Sequence, residues 1–101
     1  MQRGPTDVWD QWDRRLNIVR GRVLTLPRRT VVRPVVPELS LPSAGSLVLA
    51  AGTAVRYEET RYDSSRPDQA YHYLSVVSGP AAGQRVVLED VVGSGPLAWE
   101  T

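Results

Sequence analysis

The stretch PRRTVVRPVVPELSLP, residues 27–42, sets four prolines among six Val or Leu residues and three arginines. Pro27, Pro34, Pro37 and Pro42 each lack the N–H that a helix or a regular interior ladder needs, and each pushes the residue before it toward extended backbone. A helix is therefore excluded from this segment. Its aliphatic side chains are more than a solvated linker requires. The expectation is an extended, proline-rich arm laid against a surface, with Val31, Val32, Val35, Val36, Leu39 and Leu41 as its apolar teeth.

Ahead of the arm, TDVWDQWDRRLNIVR (residues 6–20) spaces Trp9, Trp12, Leu16 and Val19 along one helical face. Thr6 is placed to cap the start, Asp7 and Asp10 suit the positive N-terminal end, and Gly21 suits the stop. At about four turns such a helix is marginal alone, so its two indoles must pack on the protein's own body or on a partner. RVLTL (22–26) reads as a short strand.

From residue 45 onward the texture is β. SLVLA (46–50), AVRYEETRY (54–62), AYHYLSVVS (70–78) and QRVVLEDVV (84–92) are rich in Val, Leu and Tyr. Turn signals separate them: Gly52-Thr53, the polar loop DSSRPDQ (63–69), GPAAG (79–83) and GSGP (93–96), with LAWE as a last short strand. Five short strands in so few residues have the texture of a small SH3-like or OB-like antiparallel barrel, which protects its edges by closing. The expected organisation is a helix and arm over residues 1–45 and a β-barrel domain over 46–101.

What the chain lacks removes several chemistries. Its twelve basic residues are all arginine, so Schiff-base lysines and the phosphate-binding lysine of a P-loop are absent. Without cysteine there are no disulfides, thiolate nucleophiles or thiolate metal ligands, and one histidine cannot build a finger-type or HExxH zinc site. DSSRPDQ lacks calcium-loop spacing. The expectation is no cofactor and no metal. With three acids by residue 13 and no long apolar run, neither a secretory signal nor a membrane span is expected, which points to the cytoplasm or a particle assembled there.

Charge is divided unevenly along the chain: residues 1–33 hold eight Arg and three Asp, whereas residues 34–101 hold four Arg and eight acids. Arg20, Arg22, Arg28, Arg29 and Arg33 form a strip without an intervening acid. Such a strip suits either phosphate, which arginine binds bidentately, or an acidic protein surface, including that of a neighbouring copy. Because the barrel half is acidic, protein ranks ahead of nucleic acid.

VVSGPAAGQRVVLEDV, residues 76–91, resembles the KOW element of small ribosomal and transcription-factor barrels, carried by Val77, Gly79, Pro80 and Gly83, with Val86 where that element usually has a glycine. The resemblance implies nucleic-acid or ribosome binding. The same residues are also similar to the opening hairpin of forkhead-associated domains, and the turn chemistry alone reads as a β-hairpin with a five-residue connection. Pro34 and Pro37 further match the P-x-x-P spacing read by SH3-type grooves.

His72 alternates with Ala70, Leu74 and Val76, and reads as a strand histidine at the barrel surface. A catalytic alternative would pair it with Ser64 or Ser65 and with Asp63 or Asp68, but no nucleophile-elbow motif accompanies them. Glu58 and Glu59 are consecutive on a strand and point to opposite faces, so they form no catalytic pair.

These readings converge on a mainly β protein with a short N-terminal helix and an extended arm. It is expected to act without catalysis as a structural or adaptor subunit of a larger assembly such as a virion, with nucleic-acid binding as the second reading. The residues expected at the partner are Trp9, Trp12, Leu16, Arg28, Arg29, Val31, Val32, Arg33, Val35, Val36, Leu39 and Leu41, and the arginines are expected to pair with Glu58, Glu59, Glu89 and Asp90.

Overall fold

A computed structural model of the chain describes residues 8–93 and 95–100. The periodic Trp/Leu pattern forms helix α1, Val8–Val19, with Trp12 and Leu16 buried on one side and Arg14, Asn17 and Ile18 exposed on the other. Gly21 stops it at φ 76°, a left-handed value that favours glycine. The Gly21 N–H also donates to the Tyr57 carbonyl at 2.9 Å, so the stop fastens the helix to the sheet. The expected cap at Thr6, with Asp7, lies outside the described residues.

Among the described residues seven antiparallel strands follow: β1 Val23–Thr25, β2 Thr30–Val36, β3 Leu41–Pro42, β4 Leu47–Leu49, β5 Ala54–Asp63, β6 Arg66–Val76 and β7 Arg85–Val91. Their order is β1-β5-β6-β7-β2-β3, with β4 also paired to β2. The β5-β6-β7 meander, built from the Val- and Tyr-rich segments, is the body. The sheet is not closed, so the closed barrel expected from the strand texture is not formed.

The proline segment is part of this sheet. β2 pairs with β7 through Arg33↔Val87 and Pro34↔Val86, and with β3 and β4 on the return leg of its hairpin. Pro34 donates nothing, but its carbonyl accepts the Ser43 N–H at 2.8 Å. A turn over residues 37–40 reverses the chain, and the Val36 carbonyl accepts the Leu39 and Ser40 N–H groups at 3.2 and 2.8 Å. Pro37 takes the second position of that turn, where its fixed φ is favoured.

Two loop readings change. β5 extends to Asp63 and β6 begins at Arg66, so DSSRPDQ is not a long loop: a two-residue turn, Ser64-Ser65, joins the strands and Pro67 and Asp68 fall within β6. The Asp63 carboxylate closes that turn by accepting the Ser65 N–H at 2.9 Å and its hydroxyl at 2.7 Å, and these bonds hold Asp63 below the usual carboxylate range. LAWE forms a turn and no strand, because the Glu100 carboxylate and N–H both bond back to Leu97. The segment serves as a plug, with Leu97 and Trp99 buried.

β5 carries one extra residue at Glu58. The pairing runs Tyr57↔Leu74 and then Glu59↔Tyr73, Thr60↔His72 and Tyr62↔Ala70. The bulge shifts the alternation by one, so Tyr57, Thr60 and Tyr62 all share the inner face. Val55, Leu74, Val76, Val86, Leu88, Val32, Leu49 and Leu26 complete that face, covered by Trp12 and Leu16 from α1 and by Leu97 and Trp99. A smaller cluster of Val35, Tyr73 and Val87, flanked by Tyr71, lies on the outer face under the hairpin turn.

Burial raises the Tyr57 hydroxyl above its ordinary value, and burial together with its bond to the Asp13 carboxylate raises Tyr62. Both phenols are thus held neutral by the fold. A raised folded value stabilises fully below the unfolded value near 10 and is lost as pH rises through the folded one. Denaturant midpoints are expected to hold up to about pH 10 and fall above it, with a smaller fall in Tyr62→Phe. An equal alkaline fall in that variant would show that Tyr62 contributes nothing to it.

Candidate functional site

The inner face holds one chain of polar side chains. Tyr57 and Thr60 hydroxyls lie 2.6 Å apart, Thr60 Oγ1 is 2.7 Å from His72 Nδ1, and His72 Nε2 is 3.2 Å from Asp90 Oδ2. A carboxylate only accepts, so Nε2 carries a proton; with the ring neutral, Nδ1 accepts from Thr60 and Thr60 accepts from Tyr57. One proton arrangement therefore satisfies all four groups. The His72 ring sits between the indoles of Trp12 and Trp99, with centroids at 5.6 and 5.4 Å.

This placement corrects the reading of His72 as a surface residue. The alternation was read correctly, but that face is covered by α1 and the plug, and His72 is fully buried. Ser65 and Asp63 bond to each other at the β5-β6 turn, whereas the ring nitrogens of His72 meet Thr60 and Asp90. Thr60, His72 and Asp90 are the residue types of a nucleophilic relay, yet the Thr60 hydroxyl is already bonded and no substrate can reach a ring without exposed surface. The chain of bonds holds β5, β6 and β7 together; it was hidden in the sequence because Thr60 faces inward only through the bulge. Among the described residues no group of three or more His, Cys, Asp or Glu is placed to hold a metal ion, and no helix is long and apolar enough to cross a membrane.

The residues expected at a partner separate into three sets. Trp12, Leu16, Val32 and Val35 are buried in the protein itself, and Trp9 packs edge-on against Tyr62 at 5.4 Å. In this conformation those side chains are occupied. Val31, Leu39 and Leu41 are exposed, at 58, 65 and 50 %, and Val48 lies directly opposite Val31 across the β2-β4 pair and is also exposed. Val36 is half-buried. Four exposed large apolar residues thus share one hairpin, residues 30–49, while Ile18, Val23, Tyr62, Val77 and Val91 are exposed elsewhere.

The arginines form the third set. Arg33 pairs with Glu89 at 3.1 Å, and Arg28 and Arg29 line a shallow groove of about 320 Å³ whose walls include Glu89 and Asp90. Glu58 and Glu59 are taken by Arg85 and Arg61, at 2.9 and 2.6 Å, and Asp90 by His72. Arg15 binds Glu100 through both carboxylate oxygens, tying α1 to the plug and holding Glu100 below the usual carboxylate range. The four acids expected to meet arginines, Glu58, Glu59, Glu89 and Asp90, are therefore already matched within the chain.

A larger recess of about 440 Å³ lies beside the hairpin turn, lined by Tyr62, Tyr71 and Tyr73 with Leu41, Arg33 and Arg61 among its walls. Arg61 stacks over Tyr73 at 4.2 Å and donates to the Ser40 carbonyl at 2.9 Å, which also accepts from the Tyr73 hydroxyl at 3.0 Å. These bonds pin the turn on the outer cluster. No family model, curated protein or solved structure matches the chain.

Proposed function

We propose that the chain is a non-catalytic structural or adaptor subunit of a larger multi-subunit assembly, such as a virion or other particle, and that it docks on protein through the hairpin of residues 30–49. The observation that carries this reading is that Val31, Leu39, Leu41 and Val48, four of the exposed large apolar residues, share one hairpin outside the core that the fold needs. Scattered apolar residues call for no explanation, but a set gathered on one hairpin is what an interface uses. Protein ranks ahead of nucleic acid because the arginine groove also holds Glu89 and Asp90, whose charges oppose phosphate. The open antiparallel sheet is best read as a variant of the small SH3-like or OB-like barrel, with its proline-rich arm drawn back as β2.

The test is light scattering on the full chain across a concentration series, beside a Val31→Asp/Leu39→Asp variant. Mass above that of the monomer is expected for the parent chain. Placing two desolvated charges in the contact is expected to weaken association at least about tenfold. Both positions are exposed, so the fold should survive. Equal association by the double variant would remove the hairpin from the interface.

A further inference from the structure

We propose that two copies of this chain exchange their N-terminal units, α1 through β2, by opening the hairpin at residues 37–40, so that each unit completes the sheet of the other copy. The inference rests on the assembly reading above and names its partner as a second copy. The occupant is identified by the molecule itself, since residues 8–36 already sit on residues 41–100 with every contact that the exchanged form would need. A swap reproduces those contacts between chains and changes only the hinge.

Three features of the hinge favour the exchange. The reversal puts Ser40 at φ 51°, a left-handed value that disfavours a residue with a Cβ, and straightening removes that strain. Pro34, Pro37 and Pro42 restrict the segment to few conformations, extended ones among them, so the straightened hinge loses little freedom. Leu39 and Leu41 are exposed at the turn in the single chain; two straightened hinges crossing near the symmetry axis would cover both. Charge fits as well. The basic front third and acidic remainder of the sequence are already joined by Arg15–Glu100 and Arg33–Glu89, pairs that would form equally well between copies. Opposing the exchange are the bonds from Tyr73 and Arg61 to the Ser40 carbonyl, which hold the turn closed.

The experiment uses the absence of any other cysteine. Val23 on β1 and Arg56 on β5 are direct cross-strand partners, both exposed, and lie on opposite sides of the hinge. Opposed antiparallel residues are about 4.5–5.5 Å apart at Cα, within disulfide reach. The Val23→Cys/Arg56→Cys chain is kept reduced, its dimer isolated by size exclusion, oxidised, and run on a non-reducing denaturing gel. The exchange predicts a covalent dimer. A dimer that gives only internally cross-linked monomer overturns the exchange while leaving surface docking intact, and a chain that stays monomeric at every concentration removes both. Hinge variants give a second reading. Ser40→Gly, which tolerates the turn, is expected to lower the dimer-to-monomer ratio at least about tenfold, and Tyr73→Phe to raise it. A ratio unmoved by either variant also overturns the exchange.

Discussion

Trp12→Ala is expected to lower the melting temperature by about 20 °C and to leave a chain that is substantially unfolded under mild denaturant. Truncating a buried Trp costs about 3–5 kcal/mol, and a domain of this size has about 5–15 kcal/mol in all. For about 100 residues each kcal/mol moves the transition by roughly 4–8 °C. Trp12 lies on the His72 ring and shares the main cluster with Leu16 and Trp99, so its removal empties the layer between helix and sheet. The companion variant is Trp12→Phe. The indole Nε1 points toward the Tyr62 hydroxyl closely enough to favour its charged form, yet makes no hydrogen bond of ordinary length. Phe therefore sacrifices area without orphaning a partner, and its cost should stay near 1–2 kcal/mol. Equal losses in the two variants, measured by urea unfolding followed by the fluorescence of Trp9 and Trp99, would show that the nitrogen matters more than the ring.

The second large effect is expected at His72. His72→Ala removes a fully buried ring and takes one hydrogen bond each from Thr60, which keeps Tyr57, and from Asp90, which keeps the Val91 N–H. Removing a partner of a buried polar group costs about 1–3 kcal/mol, and the lost ring volume adds to it, so a total near 3 kcal/mol is expected. Thr60→Val should cost about half as much, since it keeps the volume and breaks only the bonds to Tyr57 and Nδ1. The His72→Ala/Thr60→Val double variant then separates a chain from a set of independent bonds. Coupling appears as a double-variant loss well below the sum of the single losses. Strict additivity would mean that the four groups do not act as a unit.

Much of this architecture was legible in the sequence wherever a local rule decided the outcome. The 3.6-residue spacing of Trp9, Trp12, Leu16 and Val19 placed α1, and the Val/Tyr runs placed the four strands of the second half. The alternation around His72 correctly grouped it with Ala70, Leu74 and Val76. Its exposure was misjudged because burial depends on what covers a face, and the cover comes from residues 12 and 97–99 at the two ends of the chain. Proline density suggested an arm, since one residue type dominates local backbone preference there. The pairing that draws residues 30–36 into the sheet is nonlocal and leaves little trace in sequence: two residue pairs with β7, one of them made by a proline. DSSRPDQ was read as a loop from composition, whereas two serines suffice to turn the chain once Asp63 accepts the turn's hydrogen bonds.

Of the candidate site, sequence supplied the exposed hairpin residues and missed the buried relay. Val31, Leu39 and Leu41 stood out because the segment held more aliphatic residues than an extended linker needs. Thr60 gave no signal, and Asp90 was expected to meet an arginine and not His72. Strict alternation from Tyr57 puts Thr60 on the outside, and nothing in the letters YEETRY reports that the ladder skips a residue.

That skip has a consequence for how the chain tolerates change. Glu58 works like the odd tooth in a gear: strand β5 on either side of it follows opposite parity, with Val55 and Tyr57 inward at odd numbers and Thr60 and Tyr62 inward at even ones. Deleting Glu58 would therefore straighten β5 without rephasing it: Glu59 would follow Tyr57 outward, and Thr60 and Tyr62 would keep the inner face. The loss would be local, the bonds of the Glu58 carboxylate to Ser75 and Arg85 and the bend that the bulge gives the strand. It is one residue more at this point, not one fewer, that would direct Glu59 and Arg61 at Trp12 and His72 and turn Thr60 out to water.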